Sequence, residues 1–143
     1  MRISIIISAI LIVLFGSCRG LNERMKIKKY DGTWTIKTIE SSDFDSLGNI
    51  VNTVTNSNLV GDLILLRDKT YTTNNQELIE FINAQGDWII YYRSKRDVLL
   101  LEKKRATVVK RTKKELQFEL TEGDGTGKIS KRHTLSFEFK EDV

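Results

Sequence analysis

The chain is 143 residues long, 40% hydrophobic and 29% charged, with a formal net charge of +4 at pH 7. That length suits a single domain. With one cysteine and one histidine in the whole chain, an intramolecular disulfide is excluded, and a zinc centre of several Cys and His ligands is argued against.

Arg2 supplies a short positive start, and Ile3 to Phe15 then runs without charge, interrupted only by Ser4 and Ser8. Phe15-Gly16-Ser17-Cys18 follows. This is the positive region, apolar region and small-residue exit of a secretory signal. The apolar run is short for a transmembrane helix, which needs about 20 residues; a retained short anchor is the alternative. Cys18, placed directly after Gly16-Ser17, resembles the lipobox of bacterial lipoproteins. The resemblance implies that residues 1–17 are removed, that the Cys18 sulfur receives a diacylglycerol, and that the new amino terminus is acylated, with palmitate-type chains. At about 0.8 kcal/mol per buried methylene, several such chains hold a protein on a membrane almost permanently. An ordinary signal peptide cut nearby is the other reading. The expected location is the bacterial cell envelope, lipid-anchored, at the outer membrane. Export removes nucleic acid as an everyday partner, and the mild positive excess suits an anionic membrane surface.

Residues 18–29 are expected to be a lipidated tether and residues 30–143 the folded domain. Arg19 to Lys29 has no regular apolar period and carries Arg19, Arg24, Lys26, Lys28 and Lys29, as a polar spacer would; a first helical turn is the alternative. From Tyr30 the dominant period is two. Trp34 and Ile36 share one face of a first strand, with Thr33, Thr35 and Lys37 on the other. Ser41 to Asn58, rich in Ser, Asp, Asn and Thr, is expected to be a long loop with at most a brief strand at Ile50–Thr55. Leu59 to Leu66 and Thr70 to Thr73 form one strand, or two broken at Asp68-Lys69. Asn75 to Ala84 fits a short helix, with Asn75 as cap and Gly86 as stop, as well as it fits a strand.

Trp88 to Arg93, Asp97 to Glu102 and Ala106 to Arg111 are predicted strands joined by short charged turns. Glu115 to Thr121 alternates, with Leu116, Phe118 and Leu120 facing inward. Gly123 to Gly127 supplies the flexible residues of a hairpin loop. Ile129 to Phe139 closes the series, with His133, Leu135, Phe137 and Phe139 on one face. The expected fold is therefore all-β: an antiparallel up-and-down barrel of about eight strands, with at most one short helix, because closure removes exposed edges.

Asp31-Gly32-Thr33-Trp34-Thr35-Ile36 places a Gly-x-Trp at the start of the first strand. It is followed in order by Gly86-Asp87-Trp88 through Leu99-Leu100-Leu101, then by Val108-Val109-Lys110-Arg111 with Glu115-Leu116-Gln117-Phe118. Over Tyr30 to Phe139 the chain resembles the lipocalin-like domains of bacterial lipoproteins. The resemblance implies that Trp34 packs across the closed end of the barrel under an arginine of the last strand, for which Arg132 is the candidate, and that Gly32 and Trp34 are structural.

Chemistry is sparse. His133 lies in phase with an apolar face and is expected to be a satisfied histidine near the rim. Asp124 between glycines falls far short of the roughly six to eight oxygens that calcium takes. No catalytic residue, metal site or cofactor is expected. The basic residues Lys103, Lys104, Arg105, Lys110, Arg111, Lys113 and Lys114 cluster at the two ends of one strand. They would either guard edges against pairing or bind an acidic glycan, a lipid headgroup or an acidic protein. Two functions follow. In the leading one the barrel is a non-catalytic binding module, with Trp88, Ile90, Tyr92, Leu116, Phe118, His133 and Phe137 lining a cavity for a small apolar ligand. In the other the barrel is filled, and the protein is a structural or interaction lipoprotein of the envelope.

Overall fold

The structure is a computed structural model, described over residues 25–123 and 125–141. The expected signal sequence, Cys18 and Asp124 lie outside the described residues. The chain divides between Tyr30 and Asp31. On the first side, residues 25–30 form a helix, α1, so the end of the expected spacer has the helical turn that its basic composition obscured.

The second side is a closed antiparallel β-barrel. Its nine strands, counted among the described residues, are β1 (Gly32–Phe44), β2 (Ile50–Asn56), β3 (Asp62–Leu65), β4 (Thr70–Thr73), β5 (Gln85–Arg93), β6 (Arg96–Leu101), β7 (Lys104–Arg111), β8 (Glu115–Gly123) and β9 (Ile129–Phe139), with a short helix α2 (Gln76–Ile79) between β4 and β5. From β3 to β9 each strand pairs with its successor. β1 closes the ring. One of its edges pairs with β9 from Trp34 to Asp43, while the other is shared by β3 along Gly32–Thr35 and β2 along Ile39–Phe44. Eight strands thus form the barrel, and β2 stands outside it as the end strand of the sheet order.

The segment Ser41–Asn58 corrects the expectation of a long loop, while the brief strand expected at Ile50–Thr55 is present and runs one residue further, to Asn56. Ser41 to Phe44 continue β1, Ile50–Asn56 return as β2, and only residues 45–49 turn. Asp45 holds the turn, its carboxylate accepting from the Leu47 and Asn49 amides at 2.9 Å each. Polar composition concealed the hairpin because every residue of β2 is exposed; with no buried face, no apolar alternation is needed. The open question at Asn75–Ala84 resolves as a helix of one turn. Asn75 caps it, accepting from the Leu78 amide at 2.6 Å and donating to the Val60 carbonyl at 3.0 Å. Gly86 does not stop this helix. It lies within β5, where a Cβ would overlap the Glu102 side chain that accepts from the Asp87 amide at 2.9 Å.

Inward alternation builds the core of the barrel. Trp34, Leu63, Leu65, Tyr71, Trp88, Leu99, Leu101, Phe118 and Leu135 are completely buried, and Leu78 of α2 and the following Ile82 are buried as well. At one end Trp34 meets the edge of Phe139, centroids 5.1 Å apart. Gly32 has φ +130°, and a Cβ there would lie 2.5 Å from the Phe139 ring. The Gly-x-Trp pattern is thereby explained: glycine supplies both the backbone angle and the space in which Phe139 packs against Trp34. The cation over Trp34 is Arg111, 4.9 Å from the ring centre. Arg132, expected in that role, instead stacks on Phe44 at 5.1 Å. The alternation of β9 that buries His133 and Leu135 places Arg132 on the opposite face.

Gly32→Ala should destabilise the fold by about 1–3 kcal/mol from backbone strain alone. A double cycle with Phe139→Ala should recover part of any further loss. Equal, additive losses in chemical denaturation would separate Gly32 from Phe139.

Candidate functional site

Three places could carry function: the barrel interior, its mouth beside α2, and its outer face. The interior contains most of the residues expected to line a cavity. Trp88 and Phe118 are wholly buried, Leu116 and Phe137 nearly so, and Ile90 and His133 retain only a sliver of exposure. Phe118 and Phe137 stack with centroids 5.1 Å apart. A side chain that water can touch neither from outside nor from within borders no water-sized void. Trp88 and Phe118 are therefore packed core. Tyr92 is a correction: it is 62% exposed. It sits on the stretch of β5 beyond Asp87, where pairing with β4 has ended and β6 is the neighbour. In-phase alternation places a residue on the inner side only as far as the barrel wall extends.

The mouth collects the polar groups. His133 on β9 faces Ser41 across the β1–β9 ladder, with Nδ1 2.7 Å from the Ser41 hydroxyl. Nε2 is 3.3 Å from the Glu122 carboxylate on β8. A single tautomer satisfies both contacts, the Ser41 hydroxyl donating to Nδ1 and Nε2–H donating to Glu122. Phe81, just after α2, lies over the imidazole at 4.6 Å. The order serine, imidazole, carboxylate is that of a nucleophilic relay. However, β1 is paired on both edges at Ser41, with Val54 and with His133. The backbone amides flanking the hydroxyl are therefore committed to ladders rather than turned toward an oxyanion. The geometry is that of a histidine satisfied at the rim.

A second buried polar group lies deeper. The Tyr71 hydroxyl makes no well-formed hydrogen bond among the described residues, its nearest polar neighbour being the Asn83 backbone. Burial raises its pKa above the ordinary tyrosine value, and the Glu102 carboxylate adds to this; the Asn83 backbone pulls the other way. Sequence reading missed Tyr71 because a tyrosine in phase with apolar neighbours is indistinguishable from any other core aromatic.

On the outer face, β1, β9, β8 and β7 form the floor of an open groove of about 750 Å³. Thr38, Ser136, Gln117 and Lys110 cross it in one row of ladder partners. Gln117 donates to the Ser136 hydroxyl at 2.8 Å. Lys37 pairs with Glu138 at 3.4 Å, and Lys110 with Glu115 at 2.5 Å. Lys113 and Lys114 complete the rim on the β7–β8 turn. That turn is firmly held: the Thr112 amide donates to the Glu115 carbonyl at 2.9 Å, and the Phe139 amide to the Lys114 carbonyl at 2.7 Å. The Thr112 hydroxyl accepts from the Glu115 amide at 3.0 Å. Of the basic cluster read from sequence, Arg111 faces Trp34, whereas Lys110, Lys113 and Lys114 belong to the groove. Lys103, Lys104 and Arg105 line a smaller cleft beside His133, Glu122 and Phe81.

No protein-family model, curated protein or solved structure matches this chain. The likeness to lipocalin-like lipoproteins therefore rests on the residues that carry it.

Tyr71→Phe should stabilise the protein by about 1 kcal/mol, since it removes a buried hydroxyl that makes no well-formed hydrogen bond. It should also flatten the alkaline limb. With its folded-state pKa raised, Tyr71 contributes stability that is complete below its unfolded value, about 10, and lost as pH rises through the folded value. Denaturant melts of both proteins from neutral to strongly alkaline pH test this. A less stable Tyr71→Phe protein at pH 7 contradicts it.

Proposed function

We propose that this protein is a non-catalytic, lipid-anchored module of the bacterial envelope. Its lipocalin-like barrel is a filled scaffold that works through its outer surface. The observation carrying this reading is the contrast between inside and outside. Core side chains such as Trp88 and Phe118 border no water-sized void, whereas the outer face has a groove of about 750 Å³ rimmed by Lys37, Lys110, Lys113 and Lys114.

The partner this groove suits is acidic. Lys37 and Lys110 already face carboxylates, so the attraction left for a partner comes chiefly from Lys113 and Lys114. Their turn is bonded to β9, and little ordering is required when a partner binds. An anionic membrane surface or acidic glycan attracts each such lysine by about 1 kcal/mol at short range, an effect that salt weakens. The anchor is Cys18, and the lipobox-like Gly16-Ser17-Cys18 supports it.

Two measurements test the parts separately. Reversing Lys113 and Lys114 to Glu should weaken retention on anionic vesicles or an acidic-glycan resin roughly tenfold, without changing the melting temperature. Neutralising Lys37 or Lys110 should change it much less; unchanged retention after the double reversal removes the groove from the account. Separately, Cys18→Ala should take up no radioactive palmitate in cells, and a labelled variant would refute the anchor.

A further inference from the structure

β2 differs from every other strand of the sheet. Each of its seven residues is exposed, and β1 is its neighbour at the end of the sheet order. Its far edge therefore presents backbone N–H and C=O groups with no strand beside them among the described residues. Such edges template pairing with another chain, and natural proteins usually blunt them with lysine, proline or inward charges. β2 has none of these. Ser46 to Val60 contains no charged residue, in a chain that is 29% charged and has no proline. Ile50, Val51 and Val54 are 53%, 63% and 59% exposed. The residues Ile-Val-Asn-Thr-Val-Thr-Asn strongly favour extended backbone. One blunting device is present, a register shift opposite Asp43 and Phe44, and it leaves Asn52 to Asn56 in regular pairing.

The arm is also held in place. β2 pairs with β1 from Asn56 to Ile50, and the hydroxyls of Ser42 and Thr53 meet at 3.2 Å. The Lys128 ammonium donates to the Ser46 carbonyl at 2.9 Å, tying the hairpin tip to the β8–β9 hairpin. A preformed strand binds by its edge at lower entropic cost than a flexible segment.

We propose that β2 is a self-association edge: two copies of this chain join antiparallel, β2 to β2, about a two-fold axis. Charge chooses the occupant. An acidic or basic partner segment would find nothing on Ser46–Val60 to complement it, while a second copy brings an edge equally uncharged and meets no repulsion. A second copy also supplies what the site requires, an extended strand with a free edge. The result is a closed, isologous dimer in which β8, β9, β1 and β2 of each copy run into one continuous sheet. The groove at Lys113 and Lys114 is not used, so this inference stands or falls independently of the function proposed above.

The test is the association state of the full chain, purified in mild detergent, by analytical ultracentrifugation across the micromolar range. The wild type should dimerise reversibly, and raising the salt should leave the dimer intact because no charge takes part. Val54→Lys places a like charge on both copies and should raise the dissociation constant at least about tenfold. Val54→Thr, uncharged and β-branched, should preserve the dimer. Thr55→Lys provides a second charged probe, and thermal melts confirm that each variant folds. A wild-type chain that is monomeric throughout, a dimer indifferent to both lysine substitutions, or one that dissolves in salt overturns the proposal.

Discussion

The pairing of β1 with β9 is the constraint on which the rest of this molecule depends. It turns a meander into a closed wall, and it determines which side chains must fit inside that wall. At one end of β1 it brings Trp34 opposite Phe139, so that only glycine suffices at position 32. Toward the other end it brings Ser41 opposite His133, so the one histidine of the chain is satisfied where the apolar interior ends. A strand that closes a barrel must also match its neighbours in length, and β1 does not. β3 covers only Gly32–Thr35 of its second edge. The remainder is paired by β2 along Ile39–Phe44. The exposed arm thus covers the part of β1 that β3 leaves open.

Much of this architecture was legible in the sequence. From Trp88 onward the alternation is clean because each strand has one buried and one wet face, and β9 matches its predicted span at both ends. Alternation alone read Leu116, Phe118 and Leu120 as inward and grouped Trp34 with Ile36, and Leu135 with Phe137, on the faces that prove buried. Legibility failed where burial did not impose a pattern. β2 was visible only as a brief strand, and with no inner face its polar flanks resembled loop and hid its pairing with Ile39–Phe44. Tyr92 has the right phase but lies where β5 has outrun β4. The arginine over Trp34 could not be chosen by alternation, because Arg111 and Arg132 occupy different strands and their approach to the ring depends on the barrel's stagger. The candidate site was less legible than the fold. The basic cluster was visible, but its division among a Trp34 contact, a groove rim and a mouth cleft is a property of the closed sheet.

An eight-strand barrel can hold one ligand or fill itself, and the wholly buried Trp34, Tyr71, Trp88 and Phe118 support the filled form proposed here. α2 adds to this by carrying Leu78, with Ile82 following, into buried positions, while Asn75 secures its first turn. What remains outside is unevenly distributed. One face carries lysines on a hydrogen-bonded turn beside an open groove, and one edge carries an uncharged strand. Tethering through Cys18, as proposed, would leave both available to neighbours in the envelope, one for acidic surfaces and one for another copy of the chain.

The central claim is that the barrel interior is full. Titration of the protein with a fluorescent fatty acid, read through quenching of Trp34 and Trp88, tests it most directly. The account predicts no saturable quenching, with only weak, salt-sensitive adsorption to the exterior. Saturable one-to-one binding that quenches tryptophan and persists in high salt would contradict it.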